Sequence, residues 1–516
     1  MRLVWSWIAA AALAASAAGT HAQLSSPSLS PIGTIKPRSS LELKAAGLTS
    51  PFGIGGETTD RGFSNFDNWK DYLGPLGATR VRVQSGWNAI ETVITETPTY
   101  NFSTLDAIVD GALARGVQPW VFLGYGNTRP GCVDCGTPTL GGQIPTGAGM
   151  ERWLKFVKAT VARYNSPTVR VNDWELWNEP DGHVEINAYI DFIARTAQAV
   201  KEVQPSAKIT IGSFTTGVTG GANSPSFQYA QQAVAGFAAR AVVPPQDVYV
   251  SFHTYQTHVD YDSYSSEEAK FNQLRDMVQS HGFKLRQGES GAPSGPCLYY
   301  SLCTDPSNWT EANQAKFVLR RMLGDFSRGM LTNIFTITDL HYDSTKNPKG
   351  LLRTGTFNQN VDTPFLNGDQ TVKGTKLSYR AFQNVTAIFD SRLQRITNHG
   401  CTAPWGHQIH AYTRTDAGGV VRNFLAVWHK SNNLPVNTDA ISTITITCTN
   451  FHFARYAQVN TLPPRVADLL DGRVYSLTTP TSTITGNSAA NNRVTINNVP
   501  VGNYPVVIAD QGIVLF

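Results

Sequence analysis

From Pro51 to about Phe389 the chain alternates short apolar runs with longer amphipathic stretches. Ala78–Val83, Gln118–Tyr125, Asn172–Trp177, Lys208–Ser213, Val248–Tyr255, Lys284–Glu289 and Leu331–Asp339 are short, β-branched or aromatic, and bounded by turn residues or polar clusters. That pattern predicts strands. Between them Leu105–Arg115, Met150–Tyr164, Ala188–Val203, Tyr229–Arg240, Glu267–His281 and Ala312–Arg328 place apolar residues at helical spacing. Pro51–Ile54 and Asn65–Leu76 supply a first strand and helix, and Ser378–Phe389 a last helix. Eight strand–helix units over about 340 residues predict an α/β fold, a (β/α)8 TIM barrel spanning residues 51–391. An open doubly wound sheet competes, but no Gly-rich phosphate turn follows any of these strands.

After about residue 392 the helical period stops. Gln408–Arg414, Val420–Trp428, Ser442–Cys448, Tyr456–Asn460, Arg473–Leu477, Ser482–Thr485, Arg493–Ile496 and Tyr504–Ala509 read as strands separated by Gly, Asn and Pro. They predict a C-terminal all-β sandwich over residues 392–516. Residues 23–50 are rich in Ser and Pro and read as an extended segment. Its Ile35–Lys44 portion is a candidate for added strands of the sandwich.

The first 22 residues are of a different kind. Arg2 precedes an Ala-rich apolar stretch from Ile8 to Ala18, and Thr20-His21-Ala22 places small residues before Gln23. This pattern predicts a cleaved secretory signal, with an uncleaved anchor as the alternative. No later segment approaches the ~20 apolar residues of a spanning helix. The expected location is therefore secreted or periplasmic. Over the 516 residues, 42 Lys+Arg stand against 38 Asp+Glu, a formal charge of +4, and no basic run occurs. So weak a field gives no reason to expect a nucleic acid partner.

Six cysteines suit the same oxidising compartment. Neighbour pairing would join Cys132 to Cys135, Cys297 to Cys303 and Cys401 to Cys448. The metal reading of Cys132-Val-Asp-Cys135 fails for want of a second Cys pair or a nearby His to complete four ligands. A thioredoxin-like reading needs a following helix, where Gly136-Thr-Pro138 stands instead. No metal and no cofactor is expected.

The chemistry is concentrated in Trp174-Glu175-Leu176-Trp177-Asn178-Glu179-Pro180. Pro180 cannot continue a ladder, so Glu179 ends the fourth strand. Glu289 ends the seventh, before Ser290-Gly-Ala-Pro. Barrel sites lie at the carboxyl ends of strands, and strands four and seven face one another across the bore. Two such carboxylates fit glycosidic cleavage, one protonating the leaving oxygen and one attacking the anomeric carbon.

At this point the sequence resembles the clan A retaining glycoside hydrolases, and most closely glycoside hydrolase family 39. The likeness runs through Val81-Arg82-Val83 with Trp87, Trp177-Asn178-Glu179-Pro180, His253-Thr-Tyr255, Gly288-Glu289-Ser290, Phe335-Thr-Ile-Thr-Asp339, Gly350-Leu-Leu and Lys376-Leu-Ser-Tyr379. It implies Glu179 as general acid/base and Glu289 as nucleophile. It further implies Arg82 and Tyr255 as donors to the nucleophile, Asn178 as a ligand of the sugar 2-hydroxyl, and His253 on the same floor. The acid has to hold a proton near neutral pH, for which burial against Trp174 and Trp177 and the charge on Glu289 would serve. One departure stands out: the family often places a His shortly after the strand-two Arg, and Arg82-Val-Gln-Ser-Gly86-Trp87 has none.

Flat aromatics follow or end several predicted strands. Trp87, Trp309, Tyr299, Tyr300, Tyr125, His341 and Tyr342 are candidates for sugar contacts, whereas Trp120 reads as core. Glu175 reads as a hydrogen-bonded interior group and Asp339 as structural. Asn101, Asn308 and Asn384 begin glycosylation sequons. The expected activity is retaining hydrolysis of a β-linked oligosaccharide or polysaccharide. The alternatives are a non-catalytic glycan-binding protein on the same barrel and a metal-dependent hydrolase, which lacks a ligand cluster in the sequence.

Overall fold

A computed structural model describes residues 24, 29–57, 59–262, 265–297, 302, 309–342, 345–355, 368–416, 418–430, 433–436, 441–459 and 462–516. Phe52–Gly55, Arg80–Gln84, Gln118–Leu123, Asp173–Leu176, Lys208–Phe214, Val248–His253, Lys284–Ser290 and Thr332–Ile334 form a closed parallel barrel. Closure places Phe52 opposite Thr332. The crossover helices are Phe66–Leu73, Ser103–Ala114, Gly147–Asn165, Ile186–Val203, Pro225–Arg240, Ser265–Ser280, Glu311–Phe326 and Leu377–Ile388. In Ile186–Val203 the buried Tyr189, Phe192, Ile193, Ala197 and Val200 recur at helical spacing, and the Glu185 carboxylate caps the N–H groups of Asn187 and Ala188.

The alternation of each strand arranges the bore in layers. Arg80 and Arg82 share one face of the second strand, and Asp173 and Glu175 share one face of the fourth. Arg82 reaches Glu175 and Glu289 near the carboxyl end. Arg286 reaches Asp173 near the amino end. Between them lies Trp120, fully buried as expected, its ring centroid 5.8 Å from the Arg82 guanidinium and 4.6 Å from that of Arg286.

The C-terminal part forms two antiparallel sheets. Seven strands run in the order Leu29–Thr34, Arg473–Leu477, Arg465–Asp468, Val506–Ala509, Val421–His429, His407–Thr415 and Gln394–Ile396. Four run Cys401–Thr402, Ser442–Cys448, Arg493–Val501 and Ile484–Ser488. Phe389 fastens the larger sheet to the barrel, with ring centroids 5.4 Å from Phe326, 5.7 Å from Tyr412 and 5.5 Å from Phe424. Asp260, from a barrel loop, accepts from Trp428 Nε1 at 2.9 Å and from Arg320 Nε at 2.8 Å.

Several sequence expectations are corrected here. The strand expected at Tyr456–Asn460 is a helix, Ala454–Val459, because the Asp510 carboxylate accepts the N–H groups of Ala454 and Arg455 and caps its first turn; Asn460 lies outside the described residues. Ser482–Thr485 is divided between a helical turn at Pro480–Thr483 and the strand beginning at Ile484. Within Ile35–Lys44 the chain is helical from Ser40, held by a capping box between Ser39 and Glu42. The strand that pairs with Arg473–Leu477 lies earlier, at Leu29–Thr34. Asn384 is buried and donates to the Leu469 carbonyl, so its sequon is inaccessible in the fold.

Cys132 is bonded to Cys135 and Cys401 to Cys448. Cys297 is also disulfide-bonded, and its expected partner Cys303 lies outside the described residues. So do the expected signal segment, Tyr299, Tyr300 and Asn308. Among the described residues no helix is long and apolar enough to cross a membrane.

Candidate active site

The fourth strand ends at Leu176, and the chain passes through Trp177 and Glu179 with φ of 68° and 46° before Pro180. Both lie in the left-handed region, which costs a non-glycine residue of order 1 kcal/mol or more and survives only where the surroundings enforce it. Two backbone bonds do so: Trp177 N–H to the Leu123 carbonyl at 3.2 Å and Glu179 N–H to the Ser213 carbonyl at 3.0 Å. Glu289 sits in the seventh strand, one residue before its end. Gly288 beside it has no room for a side chain, since a Cβ there would fall 2.1 Å from Ser251 Oγ and 3.3 Å from His253 Nε2.

Arg82 organises the floor. Its Nε and Nη2 donate to the two oxygens of Glu175 at 2.8 and 2.7 Å. Nη1 donates to Glu57 at 2.8 Å and to Glu289 at 2.6 Å, and Nη2 also to Asn178 Oδ1 at 2.8 Å. All five donors of the guanidinium are thereby used, which fixes its plane. Tyr255 donates to the other oxygen of Glu289 at 2.8 Å. His253 Nδ1 lies 2.8 Å from Glu179 Oε1 and 3.6 Å from Glu289 Oε2.

These contacts set the charge states. Burial works to raise the Glu289 carboxyl, but the charges of His253 and Arg82 and the Tyr255 hydrogen bond outweigh it and hold the group below the ordinary carboxylate range. Burial works to lower the His253 imidazole, and Glu289 and Glu179 outweigh it in the other direction. Glu57 is displaced upward by burial and by the charge on Glu289, even with Arg82 opposing. Arg82 thus faces three buried carboxyl groups, and the one beside strand one yields.

The structure brings together Glu179, Glu289, Asn178, Arg82, His253 and Tyr255. The Asn178 amide nitrogen has no protein partner among the described residues, while its oxygen is held by Arg82. Glu175 is buried and bonded to Arg82 and Ser213. Tyr342 is near enough to feel the charges of Arg61, Glu289 and Glu57, and packs edge-on against Phe63 at 4.9 Å. Tyr125 is buried edge-on against Trp177 at 5.5 Å, with the Arg61 guanidinium 5.1 Å from its ring centroid.

Three aromatic expectations are corrected. Trp87 is fully buried, stacked on Phe156 at 5.7 Å and donating to Glu91, because the short helix Trp87–Ile90 turns it into the helix layer. Trp309 is buried in an apolar cluster with Val259, Ala292, Phe317 and Leu434. Trp174 donates to Gln204 at 2.8 Å on the outer face of its strand and gives Glu179 no wall. Of the remaining aromatics, His341 is buried against Thr354. Asp339 takes part in an ion pair with Lys376 and accepts the Gly350 N–H, a structural role.

Sequence reasoning missed Glu57, Lys349, Arg61 and Phe63. Glu57 had a usable signal, since it follows the end of the first strand as Glu179 follows the fourth. Lys349 had none: it arrives from the loop after the eighth strand, 5.3 Å from the Tyr255 ring centroid, where burial pulls its ammonium down to about 7. Glu179, His253 and Glu289 also present metal-ligand types of atom within 4.8 Å of one another. The Arg82 cation already bonded to Glu289 opposes a second cation there.

Residues 78–281 match the family model described as Glycosyl hydrolases family 39. A curated beta-xylosidase of Geobacillus stearothermophilus is 29% identical over 124 residues, 22% of this chain and 24% of that protein. The chain therefore spans about a quarter of the length of that relative. Among solved structures, a family 39 glycoside hydrolase from the gut symbiont Bacteroides cellulosilyticus WH2 superposes with a TM-score of 0.57 at 16% identity, covering 89% of this chain and 81% of its own. A monomeric beta-xylosidase from Caulobacter crescentus CB15 gives 0.54 at 13% identity, covering 92% and 97%. At such identities the superpositions speak for the fold alone.

Proposed function

We propose that this chain belongs to glycoside hydrolase family 39, whose model matches residues 78–281, and is a retaining glycosidase acting on a β-linked oligosaccharide or polysaccharide. The observation that carries the reading is the pairing of Glu179 and Glu289, which have carboxylate oxygens within 4.8 Å of each other. Retention needs carboxyl groups ~5–5.5 Å apart, whereas inversion needs ~6.5 Å or more to admit a water.

In the proposed first step a Glu289 oxygen attacks the anomeric carbon, while Glu179 gives its proton to the departing glycosidic oxygen. A covalent glycosyl-enzyme results. In the second step Glu179 takes a proton from water, whose oxygen displaces Glu289 from the anomeric carbon. Arg82 and Tyr255 keep Glu289 ionised and fix its direction. His253 Nδ1, 2.8 Å from Glu179 Oε1, orients the acid. The accessible Asn178 amide is placed to donate to the sugar 2-hydroxyl, a contact that strengthens as the ring becomes oxocarbenium-like. Phe63 and Tyr342, both half-buried, offer flat faces beside the site.

The disulfides fit a secreted or periplasmic location. Aryl β-xylosides are the first substrates to try, since the curated relative carries that name. Glu179→Ala should spare aryl glycosides with good leaving groups, lose those with poor ones, and regain turnover with azide as a β-glycosyl azide. An α-glycosyl azide product would contradict retention, and wild-type rates on poor leaving groups would remove Glu179 as the acid.

A further inference from the structure

A cavity of about 850 Å³ opens at the amino end of the barrel, the end opposite Glu179 and Glu289. The residues that begin the strands line it: Arg80, Asp173, Lys208, Tyr249, Lys284 and Arg286. Its volume lies within the ~300–1,000 Å³ of small-ligand sites.

The charges in it do not balance locally. Lys208 is paired with Asp247, and Asp390, at the rim, is taken by Arg38 and Arg392. Two further rim cations have carboxylates of their own, Arg275 in Asp276 and Arg328 in Asp262. That leaves Arg80 and Arg286 with Asp173 as their carboxylate, and Lys284 with no carboxylate among the described residues. Arg286, 2% exposed, donates Nη1 to Asp173 at 2.9 Å and lies with its guanidinium carbon 3.7 Å from the Tyr249 ring centroid. Its buried Nε has no hydrogen-bond partner among the described residues. Arg80 has no hydrogen-bond partner there either, is attracted by Asp173, and is repelled by Arg286. Lys284 donates to the Gln246 carbonyl and lies over the Tyr249 ring at 5.2 Å.

Two guanidinium groups sharing one carboxylate repel each other. A single oxyanion accepting from Arg286, Arg80 and Lys284 would offset that repulsion. We propose that the amino end of the barrel is a second binding site, for a small oxyanion or an oxyanion-bearing sugar, held by Arg80, Lys284 and Arg286. Phosphate, sulfate and the carboxylate of an acidic sugar share this chemistry. The site is independent of the glycosidase reading, because Trp120 and the layer of Arg82 separate it from the carboxylates.

The test uses the full chain in chloride-matched buffers of equal ionic strength, titrated with sodium phosphate, sodium sulfate, glucuronate or glucose. Calorimetric titration and thermal unfolding are read together. At least one oxyanion should bind saturably and raise Tm by about 2 °C, glucose should not, and Arg80→Met should weaken that binding about tenfold or more. Lys284→Met should weaken it as well, and Arg80→Met without ligand should unfold no earlier than the wild type. A response to inorganic anions alone assigns free phosphate or sulfate as the ligand, and a stronger response to glucuronate assigns an acidic sugar. No saturable response to any oxyanion, or an undiminished response in both variants, overturns the proposal.

Discussion

The two ends of the bore use the same residue types with opposite balance. At the carboxyl end Arg82 is shared by Glu57, Glu175 and Glu289, so negative charge is in excess. At the amino end Arg80 and Arg286 share Asp173, so positive charge is in excess. Trp120 lies between them, within cation–π range of both Arg82 and Arg286. The upper excess is relieved internally, by the upward displacement of Glu57, the raised His253 and the Tyr255 hydroxyl. Arginine cannot shed its proton in the same way, so the lower excess calls for a counter-ion. An imbalance of carboxylates can thus be tuned for proton chemistry, while an imbalance of guanidinium groups favours binding.

Substitutions at the two ends should therefore differ in kind, and the comparison breaks if they do not. The largest effect is expected from Glu289→Ala, a loss on the order of 10⁴-fold or more in kcat, as when other nucleophiles are removed; steady-state rates on an aryl glycoside check it. Glu179→Ala should cost about 10²–10⁴-fold on poor leaving groups and much less on good ones, visible as a steepened dependence of rate on leaving-group pKa. Arg82→Met leaves buried carboxyl groups without their cation, and should destabilise the fold by about 3–5 kcal/mol in urea unfolding.

The pH profile of kcat/KM sharpens the same contrast. Glu289 is held below its ordinary value of 4.5, so the acid limb should fall below that pH, where the nucleophile gains a proton. His253 is raised above 6.5, so the alkaline limb should lie above that, where the imidazolium loses its charge. Tyr255→Phe removes a donor that favours ionised Glu289, and should move the acid limb upward with about a tenfold loss of rate. The smallest effect on hydrolysis belongs to Arg80→Met, whose rates and pH profile should match the wild type, because its guanidinium serves the opposite end of the barrel.

Much of this was legible in the sequence, and for local reasons. Glu179 could be placed because Pro180 ends a ladder, and Glu289 because Gly and Pro follow it closely. The barrel could be placed because period-two and helical spacing alternate along the chain. Trp87 and Trp309 were misplaced because position after a strand does not say which way a side chain turns, and here both turn into apolar layers. The helix at Ala454–Val459 was missed because its cap, Asp510, lies far along the chain.

The amino-acid sequence by itself determined the alternation of strands and helices in the barrel, the two opposed glutamates and the Cys132–Cys135 pairing, since each depends on residues close together or on the regular count of a barrel. Only the tertiary structure decided that Glu57 and Lys349 join the site, that Asn178 binds Arg82 through its oxygen and leaves its amide nitrogen without a partner among the described residues, and that cations collect at the far end. Those facts depend on which groups meet across the bore. Closure of eight strands brings together charges that stand dozens or hundreds of residues apart, and their balance is set by burial and distance rather than by spacing along the chain.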